Sequence, residues 1–364
     1  LTKNLIGCTK NIIFSYPAQH LDQILRPSVL IKTLTEIKLS DLKLPSYQAL
    51  AKKIMHTQQW EYYTDETLAF SPEESFSAGT QLLQSQAACP FQAYARWRLQ
   101  AQFHSFPQNG LNARDRGILL HQVLEKFWNE VKDQKTLLAQ TPSTLDQLIN
   151  AAIDHCLRLF SKKRPMVFKT HFIDIERRRL QTLLKNIVAL EKQRPVFIQT
   201  QHETKRQVTL AKVSLKLRID RIDHLNATHS MIIDYKTGIP GKIDWLEERC
   251  DYPQLPLYCL SYPETVRSFA TMHLRSNKVT LQGLSAEETA MHQLIPLKKL
   301  KTSHNISQWS DLLKHWQTSL EKLAIEFKHG VADVNPKHGP STCRQCDLQL
   351  FCRINHQQHT VTPS

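Results

Sequence analysis

The sequence predicts an α/β fold in which helices lie before and after a mixed sheet. Apolar residues recur at helical three- and four-residue spacings from residue 81 to residue 193. The pattern then changes, because apolar and polar residues alternate strictly from Val213 to Leu217, which is typical of a strand. The short apolar run Met231–Ile233 is typical of a strand at the centre of a sheet.

The helices and strands follow from these patterns in chain order. In one predicted helix, Leu119, Val123 and Phe127 lie on a common face. Pro90, within the first predicted helical segment, is near a helix start, a position that proline favours. The predicted helices span residues 81–102, 114–131, 144–160, 171–193, 253–262 and 307–329, and the predicted strands span 208–217 and 231–233.

The chain is basic, with 47 Lys and Arg against 33 Asp and Glu and a net charge of +14. Such an excess favours a polyanionic partner, either nucleic acid or an acidic membrane surface. No apolar run approaches the roughly 20 residues of a membrane-spanning helix, and the N-terminus has no secretion signal. We therefore expect a cytoplasmic protein without a membrane partner, whose eight cysteines are reduced thiols or metal ligands. Because it begins at Leu1 without an initiator Met, we also expect a fragment of a longer protein.

Two carboxylates and a lysine lie on either side of the polar segment 224–230, which is typical of a hairpin loop. Asp220 and Asp234 are symmetric about Ala227, so an antiparallel hairpin places them opposite each other. Lys236 follows Asp234 by two residues and shares its face of the strand. Carboxylate oxygens suit Mg²⁺, and a nearby ammonium group can stabilise developing charge, as phosphodiester hydrolysis requires. The alternative is a surface hairpin with ordinary charges.

Four ordered motifs resemble the PD-(D/E)xK nucleases of the AddB and RecB type. Asp220 with Asp234-Tyr235-Lys236 is similar to the central motif of that family. The other similar segments, in the same order as in the family, are Cys89-Pro90-Phe91 with Tyr94, Arg116–His121 and Gln254–Tyr258. The resemblance covers about residues 81–352. It implies a nuclease core of a mixed sheet flanked by helices, and a metal-dependent DNA exonuclease of repair and recombination with a helicase partner subunit.

The resemblance also implies roles for single residues. His121, Asp220 and Asp234 would bind Mg²⁺ or Mn²⁺, and Lys236 would be the catalytic lysine. Gln254 and Tyr258 would brace the active site or contact DNA. From its helical position alone, a satisfied core histidine is the preferred interpretation of His121.

Other candidate ligands follow from position, and one residue departs from the family pattern. Glu125 lies on the helix face of His121, and Asp223 is a substitute for Asp220 that faces the other side of a regular strand. Glu203, on the preceding segment, ranks last among the candidates. The family has a glycine three residues before its first catalytic Asp, where this chain has Leu217.

The C-terminal region contains the spacing C-x₂-C-x₅-C, formed by Cys343, Cys346 and Cys352. A thiolate metal site needs a fourth ligand, and the spacing alone leaves this open, with His356 suitable for zinc. The resemblance implies instead that Cys89 completes a [4Fe–4S] cluster. This iron–sulfur staple would join the N- and C-terminal parts of the domain. The remaining cysteines, Cys8, Cys156, Cys250 and Cys259, show no ligand spacing and are expected to be ordinary thiols.

The domain organisation and the function leave alternatives open. We expect residues 1–78 to be the end of a helicase-like region or a linker, and 79–364 to be the nuclease domain. The basic segments 162–164, 177–179 and 298–301 are either solvated faces or contacts to a DNA backbone, without base-specific motifs. The alternatives to an active nuclease are an inactive nucleic-acid-binding scaffold with a structural metal site and a zinc-stabilised protein-interaction module.

Overall fold

The structure is a computed structural model, and the chain divides into two compact units, Leu1–Asp65 and Glu66–Ser364. The described residues are 2–20, 22–42, 76–102, 110–163, 170–238, 245–275, 278–289, 291, 293–300, 306–344 and 346–354. The described part of the smaller unit contains helix α1 (Thr2–Gly7), the antiparallel strands β1 (Gln19–His20) and β2 (Gln23–Ile24), and a 3-10 turn at Leu39–Leu42.

The first half of the larger unit is helical, as the sequence predicts. Its helices are α2 (Gln81–Ala88), α3 (Pro90–Ala93), α4 (Ala113–Val131), α5 (Gln134–Ala139), α6 (Pro142–Lys163) and α7 (Thr170–Glu191). The prediction of one helix over residues 81–102 is wrong, because the chain is extended at Cys89, with φ −166° and ψ 122°. A residue before proline is disfavoured in the helical region, so Pro90 ends one helix and starts the next. A π-helical turn at Tyr94–Arg98 follows α3.

A seven-stranded mixed sheet forms the centre of the larger unit. Its strands are β3 (Phe76–Gly79), β4 (Gln199–Leu210), β5 (Val213–His224), β6 (Ser230–Lys236), β7 (Val266–Arg275), β8 (Lys278–Ser285) and β9 (Leu294–Pro296). Along the sheet, β5 pairs antiparallel with β4 and β6 and parallel with β3, and the order then continues through β7 and β8 to β9. The predicted mixed sheet flanked by helices is confirmed.

The segment 208–217 belongs to two strands and not to the single strand that the alternation predicts. The chain turns at Ala211 and Lys212, which have positive φ values of 49° and 67°. Across this turn Leu210 pairs with Val213, so the apolar residues of both strands cover one face.

Helices cover both faces of the sheet, so its central strand is buried on both sides. Met231, Ile233 and Tyr235 of β6 pack in the core that includes α4, α6 and α7. Ile232 packs in the opposite core with α2 and with two later helices, α8 (Gln254–Leu260) and α9 (Trp309–Lys328). Two short helices, α10 (Pro340–Arg344) and α11 (Gln349–Cys352), follow α9. None of the described helices has the length and apolar content that a membrane crossing requires.

Candidate active site

The β5–β6 hairpin has the register that the symmetry about Ala227 predicts. Arg221 pairs with Ile233 and His224 with Ser230. One step beyond the pair Arg221–Ile233, the backbone N–H of Tyr235 donates to Asp220 Oδ2 at 2.8 Å. The Asp220 carboxylate therefore ties β6 to β5 at the point where the backbone pairing ends.

Asp234 and Lys236 lie on the same face of β6, as predicted from their spacing. Lys236 Nζ is 2.8 Å from Asp234 Oδ2 and donates to Gln254 Oε1 at 2.9 Å. Gln254 Nε2 in turn donates to the Tyr258 hydroxyl at 2.5 Å, and that hydroxyl donates to the Arg218 carbonyl at 2.6 Å. This chain of hydrogen bonds from α8 holds the ammonium group in one place beside the carboxylates.

His121, Glu203 and Asp220 form the group of described residues whose ligand atoms all lie within 4.8 Å of one another. His121 Nδ1 is 3.3 Å from Asp220 Oδ1 and 3.9 Å from Glu203 Oε1. Its Nε2 lies 3.2 Å from the Tyr235 carbonyl, which can only accept a hydrogen bond. In the neutral imidazole the proton is therefore on Nε2, and the lone pair of Nδ1 faces the carboxylates, as a metal ligand requires.

The backbone of Glu203 is left-handed, with φ 49°, although it lies within β4 and is not a glycine. Neighbouring residues of β4 pair regularly with β5, as His202 does with Arg221 and Thr204 with Ile219. Strained backbone of this kind is concentrated at functional sites. Here it accompanies a carboxylate that faces His121 and also contacts the Arg218 guanidinium.

The convergence of carboxylates raises the pKa values of Asp234 and Glu203. Burial and the nearby Asp220 raise the pKa of Asp234 to about 6, although the charge of Lys236 lowers it. Burial and Asp220 also raise the pKa of Glu203. Burial alone would lower the pKa of His121, but Asp220, Asp234 and Glu203 raise it. A cation among these groups would stabilise their charged forms.

The donor set fits a divalent metal ion. His121, Glu203 and Asp220 offer one imidazole nitrogen and two carboxylates, the ligand types that Mg²⁺ and Mn²⁺ accept. Asp234, the third predicted ligand, is outside the group of atoms within 4.8 Å but interacts electrostatically with Asp220 and His121. Asp234 Oδ1 is buried and has no hydrogen-bond partner among the residues that the structure describes. A buried carboxylate oxygen without a partner is costly unless an ion or water satisfies it, so this atom also fits a ligand role.

The other two candidate ligands are outside the group of ligand atoms. Glu125 lies at the edge of the site, with a carboxylate oxygen 4.0 Å from the Arg218 guanidinium that also contacts Glu203. Asp223 accepts hydrogen bonds from Arg221 at 2.6 Å and Arg194 at 2.8 Å in a buried ion network, away from the site. Leu217, at the position of the family glycine, is 3% exposed and packs in the core.

This buried ion network is a feature that the sequence patterns do not predict. Arg221 is fully buried, donates to both carboxylate oxygens of Glu191 at 3.1 Å and to Asp223 at 2.6 Å, and stacks on Trp128. Arg194 completes the network through Glu191 at 2.7 Å. Since Arg221 immediately follows Asp220, the network fixes β5 from the face opposite the candidate site.

The four candidate cluster cysteines line one small cavity. Cys89 is buried, whereas Cys343, Cys346 and Cys352 are partly buried, and all four are free thiols. Burial and the proximity of the other three thiols raise the pKa of Cys343. The alternative ligand His356 lies outside the described residues.

The basic segments are partly neutralised by acidic neighbours. In 177–179, Arg177 pairs with Asp154 at 2.9 Å, and Arg179 pairs with Glu176 at 2.6 Å. In 298–301, Lys299 pairs with Glu288 at 2.9 Å. A solvated face therefore explains these two segments at least in part.

Residues 80–353 match the family model of the PD-(D/E)XK nuclease superfamily. Three strains of Clostridium perfringens have an ATP-dependent helicase/deoxyribonuclease subunit that is 27% identical over 188 residues, covering 46% of this chain. The aligned part spans about a sixth of those relatives, 16% of their length. The crystal structure of a Eubacterium rectale protein named as a candidate exonuclease aligns with TM-score 0.37 and 10% identity, over 81% of this chain and 92% of that one.

Proposed function

The chain belongs to the PD-(D/E)XK nuclease superfamily, and we propose from this membership that it is a divalent-metal-dependent DNA exonuclease that processes DNA ends in repair and recombination. One observation carries the proposal: His121, Glu203 and Asp220 offer ligand atoms within 4.8 Å of one another, and the Asp234–Lys236 pair is near enough for its carboxylate to act electrostatically on His121. An inactive scaffold is less well supported, because the carboxylates and the lysine that hydrolysis requires are all present.

We assign the metal to His121, Glu203, Asp220 and Asp234. When bound, a Mg²⁺ or Mn²⁺ ion polarises a phosphodiester and lowers the pKa of the attacking water. The residues around it orient the site: Asp220 holds the end of β6, beyond its backbone pairing with β5, and the Tyr235 carbonyl sets the tautomer of His121. Lys236 supplies a fixed positive charge where negative charge develops on the phosphate.

Gln254 and Tyr258 are positioning residues in this proposal. Gln254 accepts from Lys236 and donates to Tyr258, so the ammonium group does not depend on Asp234 alone for its place. When Asp234 binds a metal, this second contact keeps Lys236 at the site. The raised pKa of Lys236, which burial would lower but Asp234 raises, keeps it charged at neutral pH.

We also propose that Cys89, Cys343, Cys346 and Cys352 bind a [4Fe–4S] cluster. The four thiols line one cavity, so they can reach a common metal group. The resemblance to the AddB-type nucleases supports a cluster in which each thiolate binds a different iron.

The similarity to the helicase/deoxyribonuclease relatives supports a wider role for the chain. We propose that residues 79–364 act on DNA beside a helicase partner subunit in the cytoplasm. Residues 1–78 would be the end of a helicase-like region or a linker.

The proposal is tested by degradation of end-labelled linear DNA in Mg²⁺. Wild type should release labelled products, and EDTA should stop this release. Lys236→Ala should cleave at least about 100-fold more slowly, the usual effect of losing one electrostatic contact to a transition state. Lys314→Ala, which removes an exposed lysine from α9, is the matched control and should cleave like wild type. Equal rates for Lys236→Ala and wild type would contradict the assignment, and DNA binding by wild type without cleavage would favour the inactive scaffold.

A further inference from the structure

A polar groove of about 570 Å³ lies between helices α2 and α3, the segment before α8 and the segment after α9. One wall is a single face of α2 that continues into α3 and includes Gln81, Gln84 and Gln92. The opposite wall includes Tyr252 and, from the segment before Cys343, His338. We name this feature the amide groove, after its three glutamines. It is a different cavity from the one that the cysteines line.

The walls of the amide groove are fixed to each other by hydrogen bonds. The Arg249 guanidinium donates to the carbonyls of Ala87 at 2.8 Å and Asn335 at 2.9 Å. The backbone N–H of Lys337 donates to the Ala88 carbonyl at 2.9 Å. These bonds join α2, the segment before α8 and the segment after α9, so the groove is formed before any ligand binds.

The lining of the groove is polar and contains one arginine, Arg96, and one carboxylate, Asp251. Asp251 pairs with Lys337 at 2.8 Å, a lysine that also contacts Glu247, and lies within hydrogen-bond distance of His338 at 2.9 Å. The amides and hydroxyls of the walls can both donate and accept hydrogen bonds, as the edges of nucleic-acid bases and the sugars require. One aromatic ring, that of Tyr252, is 39% exposed. An exposed aromatic ring in a polar groove is what single-stranded nucleic acid uses for stacking.

Tyr252 connects the groove to the active site. It lies two residues before Gln254, whose side chain accepts a hydrogen bond from Lys236. The groove and the candidate site therefore share the short segment from Tyr252 to Gln254.

We propose that the amide groove binds the single DNA strand that flanks the scissile phosphate, with one base stacked on Tyr252. The inference rests on the proposed nuclease function, since it names the part of the substrate that the chain holds outside its reacting centre. Stacking on a ring does not select a base, so this contact adds affinity without sequence specificity.

The test is binding of a fluorescent single-stranded oligonucleotide to the full chain in EDTA, where cleavage cannot occur. Tyr252→Ala should bind roughly 5- to 150-fold more weakly, the range measured for base–aromatic stacking. Tyr252→Phe keeps the ring and should bind like wild type. A 2-aminopurine placed successively along the strand should be quenched at one position by wild type and Tyr252→Phe, and not by Tyr252→Ala.

A pair of variants with equal charge tests the groove itself. Gln84→Glu adds a negative charge in the groove, and Gln317→Glu adds the same charge on exposed α9 outside it. The first should weaken binding more than the second. Both positions are exposed, so equal melting temperatures will confirm folding.

Each outcome separates the groove from the nuclease function. Equal binding by wild type and Tyr252→Ala, equal effects of the two glutamates, or no binding by wild type would overturn the groove assignment. If wild type binds through Tyr252 but never cleaves in Mg²⁺, the proposed function fails and the groove assignment stands. If wild type cleaves while the groove variants bind normally, only the groove assignment fails.

Discussion

Arg221→Ala should destabilise the protein far more than an ordinary surface substitution. The buried network contains two cations, Arg194 and Arg221, and two anions, Glu191 and Asp223. Removing Arg221 leaves one negative charge uncompensated in the core. Burial alone would raise the pKa of Asp223, but Arg221 and Arg194 hold it below its ordinary value. The carboxylate therefore depends on both arginines to remain charged in the core.

The size of the effect follows from the burial of the pair. Removing one partner of a buried ion pair destabilises a protein by about 3–5 kcal/mol. For a unit of this size, each kcal/mol changes the melting temperature by roughly 2–3 °C. We therefore expect Arg221→Ala to melt about 6–15 °C below wild type. Arg221 also stacks at 4.0 Å on Trp128 and 4.9 Å on Phe197, so its loss leaves a cavity between two aromatic rings.

The assay is thermal unfolding followed by circular dichroism, with Arg206→Ala as the matched control. Arg206 is exposed and stacks on Tyr262 at the surface, so its loss should change stability by no more than about 1 kcal/mol. If Arg221→Ala melts at the same temperature as Arg206→Ala, the ion network does not stabilise β5 and the reasoning is wrong.

Further experiments test the metal sites and the DNA contact. Cys89→Ala should lose the broad visible absorbance and the heat stability of anaerobically reconstituted protein as Cys343→Ala does, whereas Cys156→Ala should lose neither; a full iron content in Cys89→Ala would exclude that ligand. Mn²⁺ should raise the melting temperature more at pH 7.5 than at pH 5, because the pKa of Asp234 is about 6 without metal and protons compete for its carboxylate below that pH. In the metal-free protein the raised pKa of Asp234 stabilises the fold at low pH. This contribution is fully present below the ordinary pKa of an Asp and is lost as the pH rises through 6. Equal effects of Mn²⁺ on the melting temperature at both pH values would contradict the ligand assignment. Affinity for unrelated DNA sequences should be similar and should fall steeply with salt, and a flat salt response would show that the +14 charge does not contact DNA.

The β5–β6 hairpin of the candidate site could be predicted from the sequence, and the β4–β5 hairpin could not. The polar loop around Ala227 is easy to recognise, and strand side chains alternate with a period of two, so its centre fixes Asp220 opposite Asp234. Glu203 and Asp220 are related by the same symmetry about the Ala211–Lys212 turn. That turn contains none of the glycine or asparagine that positive φ values favour, so no residue type marks it in the sequence. Glu203 therefore ranks last among the candidate ligands by sequence, although it lies in the site.

Contacts between distant segments are the other limit of prediction from sequence. The partners of Arg221 include Glu191, which is thirty residues earlier and on a different element. Nothing in the spacing of charged residues distinguishes Arg221 from the exposed Arg218 on the same strand. The four cysteines likewise share one cavity only because α2 packs against α9. Cys89 follows from the resemblance to a family, since spacing alone leaves the fourth ligand open.

The position of Cys89 relative to Cys343 has a consequence for how the protein matures in the cell. The two cysteines line one cavity but are separated by 254 residues in the chain. Ribosomes add about 5–20 residues per second, so Cys89 is synthesised about 13–50 s before Cys343. A metal group shared by all four can be inserted only after the sheet and its helices have emerged. Its insertion would therefore mark completed synthesis of the domain, and chains truncated before Cys343 could never be loaded.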